Sequence, residues 1–218
     1  MRTAAVFGST GLIGSSILRL LSQNKEYQKI YSYTRKKQES ELEKVENIEI
    51  NSDAFVLAQG IDDVFVCLGT TMKKAGSKEE FSKVDLHLVV NIAKQAKASN
   101  AKHFIVVSSI GADPNSSNFY LKTKGEMEEE VKKLDFEYCG IVRPSLLLGK
   151  RKEFRLGEKL GIIVFNIFSF IFVGKLKKYK GIKAEDVAKS MIIMALNGKG
   201  KVTIESNILK KIANEYNK

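Results

Sequence analysis

Cysteine and histidine are scarce in this sequence. Only two cysteines occur among its 218 residues, Cys67 and Cys139, and both lie in apolar stretches. Neither has a second cysteine or a histidine at the spacing of metal ligands, and His87 and His103 have no acidic residue at motif spacing. The sequence therefore predicts no metal site, two buried reduced thiols and two histidines with structural roles.

The chain also lacks a recognisable leader, internal repeats and a long hydrophobic run. A strand-like segment begins at Thr3, without the basic segment, apolar core and cleavage site of a secretory leader, and from this we expect a cytoplasmic protein. The longest apolar run is 160–173, in which Asn166 and Ser169 are the only polar side chains. It is shorter than the about 20 residues of a membrane-spanning helix, so a buried helix or an interfacial segment is expected.

Positive charge is in excess, but most of it lies in one segment. The formal net charge is +11, and residues 150–183 contribute ten basic side chains against two acidic ones. A local excess without a recognised nucleic-acid motif argues against nucleic-acid binding. Because the basic residues flank the apolar run 160–173, peripheral contact with an anionic membrane surface is one interpretation of this segment.

The apolar pattern predicts an α/β fold. β-branched runs alternate with segments of helical period, which is typical of a doubly wound parallel sheet between two layers of helices, and 218 residues fit a single domain, 1–218. The predicted strands are Thr3–Phe7, Lys29–Thr34, Val45–Ile50, Asp63–Leu68, Lys102–Ser108 and Glu137–Val142. The predicted helices are Leu12–Gln23, Phe81–Ser99, Asn118–Leu134, Ala184–Asn197 and Ser206–Tyr216.

A glycine-rich loop follows the first predicted strand. Its residues are Gly8, Ser9, Thr10, Gly11, Leu12, Ile13 and Gly14. One glycine permits the turn from strand to helix, the next lets a pyrophosphate approach the backbone, and the last lets helix and strand pack closely. Glycine turns are common, but this one opens the first helix of an alternating β/α chain, which favours a Rossmann fold with a dinucleotide at the helix N-terminus.

The end of the second predicted strand indicates which dinucleotide binds. An acidic residue at this point would accept hydrogen bonds from the ribose 2′-hydroxyl of NAD(H), but the sequence has Arg35 and Lys36, and the first acid is Glu39. A guanidinium is suited to a 2′-phosphate. We therefore expect NADP(H) rather than NAD(H), with a solvated basic loop as the alternative.

Tyr120 and Lys124 are candidate catalytic residues. They are four residues apart on one helix face, where a phenol could donate a proton to a carbonyl while the ammonium eases its loss. Tyr33 with Lys37 and Tyr179 with Lys183 have the same spacing, but only Tyr120 follows the fifth predicted strand, which ends at Ser108 and Ser109. The alternatives are a packing tyrosine and strand-terminal serines.

Together these motifs resemble the atypical short-chain dehydrogenase/reductases. The glycine loop, Ser108 with Ser109, Tyr120 with Lys124, and the Arg143-Pro144-Ser145 stretch carry the resemblance, which covers about Ala4 to Gly157. The stretches 67–71, 108–113 and 116–120 are similar to the Tat-interacting-protein-like branch.

The resemblance implies a role for each matching residue. Tyr120 would exchange the proton, Lys124 would bind the nicotinamide ribose, and Ser109, rather than Ser108, would bind the substrate carbonyl. Further cofactor contacts would come from positions after strands three, four and six. These are Asp53, Ala54, Leu68, Gly69, Thr70, Pro144, Ser145 and Leu146.

The resemblance also implies that residues 150–183 form a substrate lid, with membrane contact or a protein interface as alternatives for the run 160–173. The predicted function is NADP(H)-dependent hydride transfer to or from a small apolar carbonyl or alcohol. The alternative is a non-catalytic NADP(H)-binding regulator, since members of this branch often keep the cofactor site without an assigned activity. The oligomeric state cannot be read from the sequence.

Overall fold

A computed structural model describes residues 1–36, 40–50, 55–149 and 180–216. The strands are β1 Arg2–Phe7, β2 Tyr27–Thr34, β3 Val45–Glu49, β4 Asp63–Val66, β5 His103–Val107, β6 Tyr138–Arg143, β7 Leu147–Leu148, β8 Ile182–Lys183 and β9 Gly200–Glu205. Seven of them form one parallel sheet in the order β3-β2-β1-β4-β5-β6-β9, and the short strands β7 and β8 pair separately.

Helices cover both faces of this sheet. They are α1 Leu12–Gln23, α2 Met72–Ala75, α3 Lys78–Ser82, α4 Val89–Ala98, α5 Phe119–Lys132, α6 Ala184–Asn197 and α7 Ser206–Ala213, with a π-helical turn, Lys83–Leu88, between α3 and α4. Residues such as Ile17 and Met191 form the core between the sheet and α1 and α6, while Ile92 and Met127 belong to the core on the α4 and α5 side. The predicted three-layer, doubly wound parallel fold is confirmed.

Several predicted boundaries differ from the structure. The predicted helix Phe81–Ser99 is instead α3, the π-helical turn and α4, because one extra residue is accommodated within the turn. The seventh strand, β9, was not predicted, since much of it is exposed and its pattern resembles a polar loop. β4 ends at Val66, so Leu68 lies in the following loop.

Some sequence predictions fall on residues outside the described ranges. These are Asp53, Ala54 and most of the proposed lid, including the apolar run 160–173. Among the helices of the described residues, none is long and apolar enough to cross a membrane.

The strand order reverses between β1 and β4, since β2 and β3 extend to one side and β5, β6 and β9 to the other. Ligands of doubly wound sheets bind at the carboxyl ends of the strands, beside such a reversal. The fold therefore places the loops after β1 and β4 at its expected ligand-binding crevice.

Candidate functional site

The glycine loop joins β1 to α1 in a conformation that only small residues permit. Gly8 has a φ of +78°, and a Cβ atom there would lie 2.6 Å from the carbonyl oxygen of Cys67. A Cβ on Gly14 would lie 2.2 Å from the carbonyl oxygen of Gly8, so the helix and the loop pack backbone to backbone. These two glycines are required by the turn and by the helix packing.

Gly11 has a different environment. Among the described residues, a Cβ atom at Gly11 would approach only the carbonyl oxygen of Gly8, at 3.3 Å. Gly11 is the N-cap of α1, has no side chain to cap the helix, and is followed by a first turn without acidic residues. The N-terminal amides of α1 and its macrodipole therefore suit a diphosphate, and the residues present fit a dinucleotide.

The rest of the loop includes both buried and exposed residues. Ser9 is buried, and its hydroxyl accepts a hydrogen bond from Ser32 Oγ at 2.9 Å, which connects the loop to β2. Thr10 is exposed, Leu12 is half-buried, and Ile13 is buried in the core.

Arg35 and Lys36 follow β2 and are both exposed. The hydroxyl of Thr34 donates to the carbonyl oxygen of Lys36 at 2.8 Å, which bends the chain at the end of the strand. In residues 1–36, 40–50, 55–149 and 180–216, neither basic side chain forms an ion pair with an acid. Both cations are thus available to a phosphate beside the β2 end.

Lys124 is buried and forms an ion pair that the sequence analysis did not predict. Its Nζ lies 2.6 Å from Asp85 Oδ1, and the two side chains are 4% and 0% exposed. The other carboxylate oxygen, Asp85 Oδ2, accepts a hydrogen bond from the backbone N–H of Thr70 at 2.8 Å. Asp85 therefore links the catalytic candidate Lys124 to the loop after β4, where Leu68, Gly69 and Thr70 lie.

Tyr120 is half-buried near the start of α5. Its ring lies 5.6 Å from that of Phe81, which is fully buried. Phe81 and Asp85 are four residues apart, as are Tyr120 and Lys124, so two turns of the α3 and π-helical segment contact two turns of α5. π-Helical turns often occur at functional sites, and here the turn carries Asp85.

The two serines after β5 differ in their partners. Ser108 is buried, and its Oγ donates to Glu128 Oε1 at 2.5 Å. Ser109 is half-buried, and its hydroxyl makes a long contact of 3.4 Å with the carbonyl oxygen of Ile110. Ser109 is therefore better able than Ser108 to donate to a ligand, and its role in binding the substrate carbonyl stays a prediction.

The segment after β6 is fixed by several hydrogen bonds. The Ser145 hydroxyl contacts the carbonyl oxygen of Lys180 at 2.5 Å and Ser206 Oγ at 2.9 Å. Pro144 accepts from the N–H of Ile110 at 3.2 Å, and Leu146 accepts from that of Ile182 at 3.0 Å. The predicted cofactor-contacting segment Pro144–Leu146 thus lies beside the loop that follows Ser109 and beside the strand β8.

Gly125 is a further residue that the sequence analysis missed. A Cβ atom there would lie 2.2 Å from the backbone nitrogen of Pro114, so α5 packs directly on the loop that follows Ser109. A glycine in a helix interior is unfavourable unless packing requires it, and that was the available signal.

The cysteines and histidines of the described residues are not grouped into a metal site. Within the described parts of the chain, no three potential ligands are arranged for a metal ion. Cys67 and Cys139 are free thiols, and burial raises the pKa of Cys139 to about 11. His103 contacts Asp63 at 2.7 Å at the amino end of the sheet, and His87 is exposed.

Comparison with known proteins identifies relatives over most of the chain. Residues 8–162 match a family model described as NAD(P)H-binding. The chain is 36% identical over 204 residues to the protein FMP52, mitochondrial, of Meyerozyma guilliermondii, which covers 88% of this chain and 85% of that protein. It is 37% identical over 166 residues to the protein HTATIP2 of Rattus norvegicus, covering 73% and 68%.

Two solved structures have the same fold at low identity. The human epimerase family protein SDR39U1 with NADPH has a TM-score of 0.64 and 16% identity, covering 92% of this chain and 73% of that one. MoeE5 in complex with UDP-glucose and NAD has a TM-score of 0.69 and 13% identity, covering 99% and 81%.

The names of the relatives overturn one prediction. Fungal proteins similar to this chain are named mitochondrial, so the expectation of a cytoplasmic location was wrong. That expectation depended on the absence of a secretory leader, which is only one of the signals that direct a protein to a compartment.

Proposed function

Since this chain belongs to the NAD(P)-binding atypical short-chain dehydrogenase/reductase family, on the branch that includes HTATIP2, we propose that it is an NADP(H)-dependent oxidoreductase. Its substrate is a small apolar carbonyl compound or the corresponding alcohol. When bound, the nicotinamide supplies or accepts the hydride, and the protein aligns the reacting atoms.

The cofactor binds in the crevice between β1 and β4. The amides at the start of α1 bind the diphosphate beside Gly11, and Arg35 with Lys36 binds the 2′-phosphate, which favours NADP(H) over NAD(H). The exposure of both cations supports this assignment. Gly69 and the Pro144–Leu146 segment contact the nicotinamide half.

The contacts of α5 with its neighbours support the proposed catalytic roles. The α5 face with Tyr120 and Lys124 is connected through Asp85 to the Thr70 loop and through Glu128 to Ser108. Tyr120, the proton donor, is thereby fixed relative to the loop after β4 that contains Thr70 and to the loop after β5 that begins with Ser108. Ser109 donates a hydrogen bond to the substrate oxygen, and the Tyr120 phenol transfers a proton to or from it.

A second candidate function is supported by the ion pair of Lys124. Its ammonium contacts a fully buried carboxylate, so its charge is balanced before any ribose binds. A non-catalytic NADP(H)-binding regulator, which acts through a protein or membrane partner, would keep such a pair permanently. In that case the dinucleotide controls the partner and undergoes no reaction.

Tyr120→Phe distinguishes the two functions. We expect the variant to bind NADPH as the unmodified protein does but to lose at least about 100-fold in kcat for the carbonyl substrates that the protein reduces, because a general acid contributes about this much. Tyr31→Phe, which removes a hydroxyl from β2, is the matched control. Tight NADPH binding without turnover by the unmodified protein on an aldehyde and ketone panel would favour the regulator.

The cellular setting follows the relatives. We infer an association with mitochondria, as the names of the fungal proteins state for them. Peripheral membrane contact through 160–173 remains a prediction for this setting, and so does the lid over 150–183.

A further inference from the structure

Glu128 is a buried acid to which the proposed function assigns no chemical step. Its side chain is 0% exposed, and Oε1 accepts hydrogen bonds from Ser108 Oγ at 2.5 Å and Arg143 Nε at 2.8 Å. Its Oε2 accepts from Arg143 Nη2 at 2.6 Å and lies 3.8 Å from the ammonium of Lys132. A buried carboxylate without partners is very unfavourable, so this complete set of donors fixes Glu128 in one position.

These contacts connect α5 with the ends of two neighbouring strands. Glu128 is four residues after Lys124 and eight after Tyr120, so the three side chains share one helix face. Ser108 immediately precedes Ser109, and Arg143 immediately precedes Pro144. A single carboxylate therefore joins the helix of the proton donor to the segments that would bind the substrate oxygen and the nicotinamide.

We propose that Glu128 is a positioning residue, which sets the distance from Ser109 and the Pro144 segment to Tyr120. This inference depends on the proposed function for its catalytic consequence. It also explains the division between the serines, because the Ser108 proton is donated to Glu128 and only Ser109 can donate to a substrate. A shift of about 1 Å in such a site reduces turnover by as much as about 100-fold.

Glu128→Gln is the principal test. The amide keeps the size of the side chain, but its NH₂ group faces the donors of Arg143 and cannot accept from them. We expect a loss of about 30-fold or more in kcat, with KM and the NADPH dissociation constant changed less than about threefold. The neighbouring Glu129→Gln is the matched control, since Glu129 is exposed and pairs only at the surface with Lys132, at 3.2 Å.

A spectroscopic measurement makes the test independent of turnover. The emission of bound NADPH reports the environment of the nicotinamide, and we expect Glu128→Gln to change its intensity or maximum while Glu129→Gln does not. If Glu128→Gln does not fold, Arg143→Lys replaces it, because it keeps the charge but loses the paired hydrogen bonds.

The outcomes separate the two proposals. If the unmodified protein binds NADPH but reduces no carbonyl, the oxidoreductase proposal fails. In that case the emission of bound NADPH alone decides whether Glu128 positions the Pro144–Leu146 segment. Wild-type kcat and wild-type emission in a folded Glu128→Gln protein would overturn the positioning role. The role would also be overturned if the control Glu129→Gln lost as much kcat and as much of its unfolding midpoint as Glu128→Gln does.

Discussion

The ion pair between Lys124 and Asp85 permits a quantitative prediction. At a separation of 2.6 Å, two unit charges attract by about 6 kcal/mol at an effective dielectric constant of about 20. Removal of either partner leaves the other charge buried, so we expect Asp85→Asn and Lys124→Met each to lower the free energy of unfolding by about 3 to 5 kcal/mol. For a protein of this size each kcal/mol corresponds to about 2 to 4 °C in Tm.

The double variant measures the interaction itself. In the double variant, Asp85→Asn with Lys124→Met, neither charge remains. Its free energy of unfolding should therefore fall by at least about 2 kcal/mol less than the summed decreases of the two single variants. Urea unfolding of all four proteins at neutral pH, with midpoints and slopes compared, gives this coupling energy. Losses that add within about 0.5 kcal/mol would refute the reasoning, and would mean that the Lys124 ammonium does not contact Asp85 in solution.

Three further predictions concern the glycine loop and the basic residues after β2. Arg35→Asp should raise the NADPH dissociation constant about 10-fold or more, because a charge-assisted pair contributes about 1.5 to 3 kcal/mol. The NADH dissociation constant should change less than about threefold. Equal losses of affinity for NADPH and NADH, measured by calorimetry, would contradict the NADP(H) assignment. Gly14→Ala should lower the free energy of unfolding by at least about 1 to 3 kcal/mol through its 2.2 Å clash with Gly8. Gly11→Val should lower stability less than Gly14→Ala, because its Cβ approaches Gly8 only to 3.3 Å, and it should abolish dinucleotide binding; unaltered binding in that variant would contradict the pyrophosphate site.

The elements with a strong hydrophobic period could be predicted from the sequence. The helices α1 and α6 have the predicted bounds, Leu12–Gln23 and Ala184–Asn197, because their apolar faces cover the sheet. The edge strand β9 could not be predicted in the same way. Among the strands of the described residues it pairs only with β6, and its first four residues are exposed, so the burial pattern that identifies a central strand is absent.

The placement of Tyr120 and Lys124 on one helix face could also be predicted, but not the burial of the acids Asp85 and Glu128. Tyr120 and Lys124 share the spacing of a known motif, whereas Asp85 and Glu128 lie within helices in which charged residues normally face solvent. Whether such an acid is buried depends on a partner from another element, which is Lys124 for Asp85 and Arg143 for Glu128. Those contacts are between residues distant in sequence, and no local pattern encodes them.

The position of these two acids bears on why they are present. Apolar residues of similar volume often replace a buried ion pair without loss of stability, so the stability of the fold does not by itself require Asp85 or Glu128. Asp85 nevertheless contacts Lys124 on the α5 face that carries Tyr120, and Glu128 lies on that face and contacts Ser108. The hydrogen bonds that Asp85 accepts from Thr70, and Glu128 from Ser108 and Arg143, fix distance and direction in a way that apolar packing does not, because each has its own geometry. The proposed proton transfer at Tyr120 needs such fixed geometry, and we therefore expect the two acids to act as parts of the site.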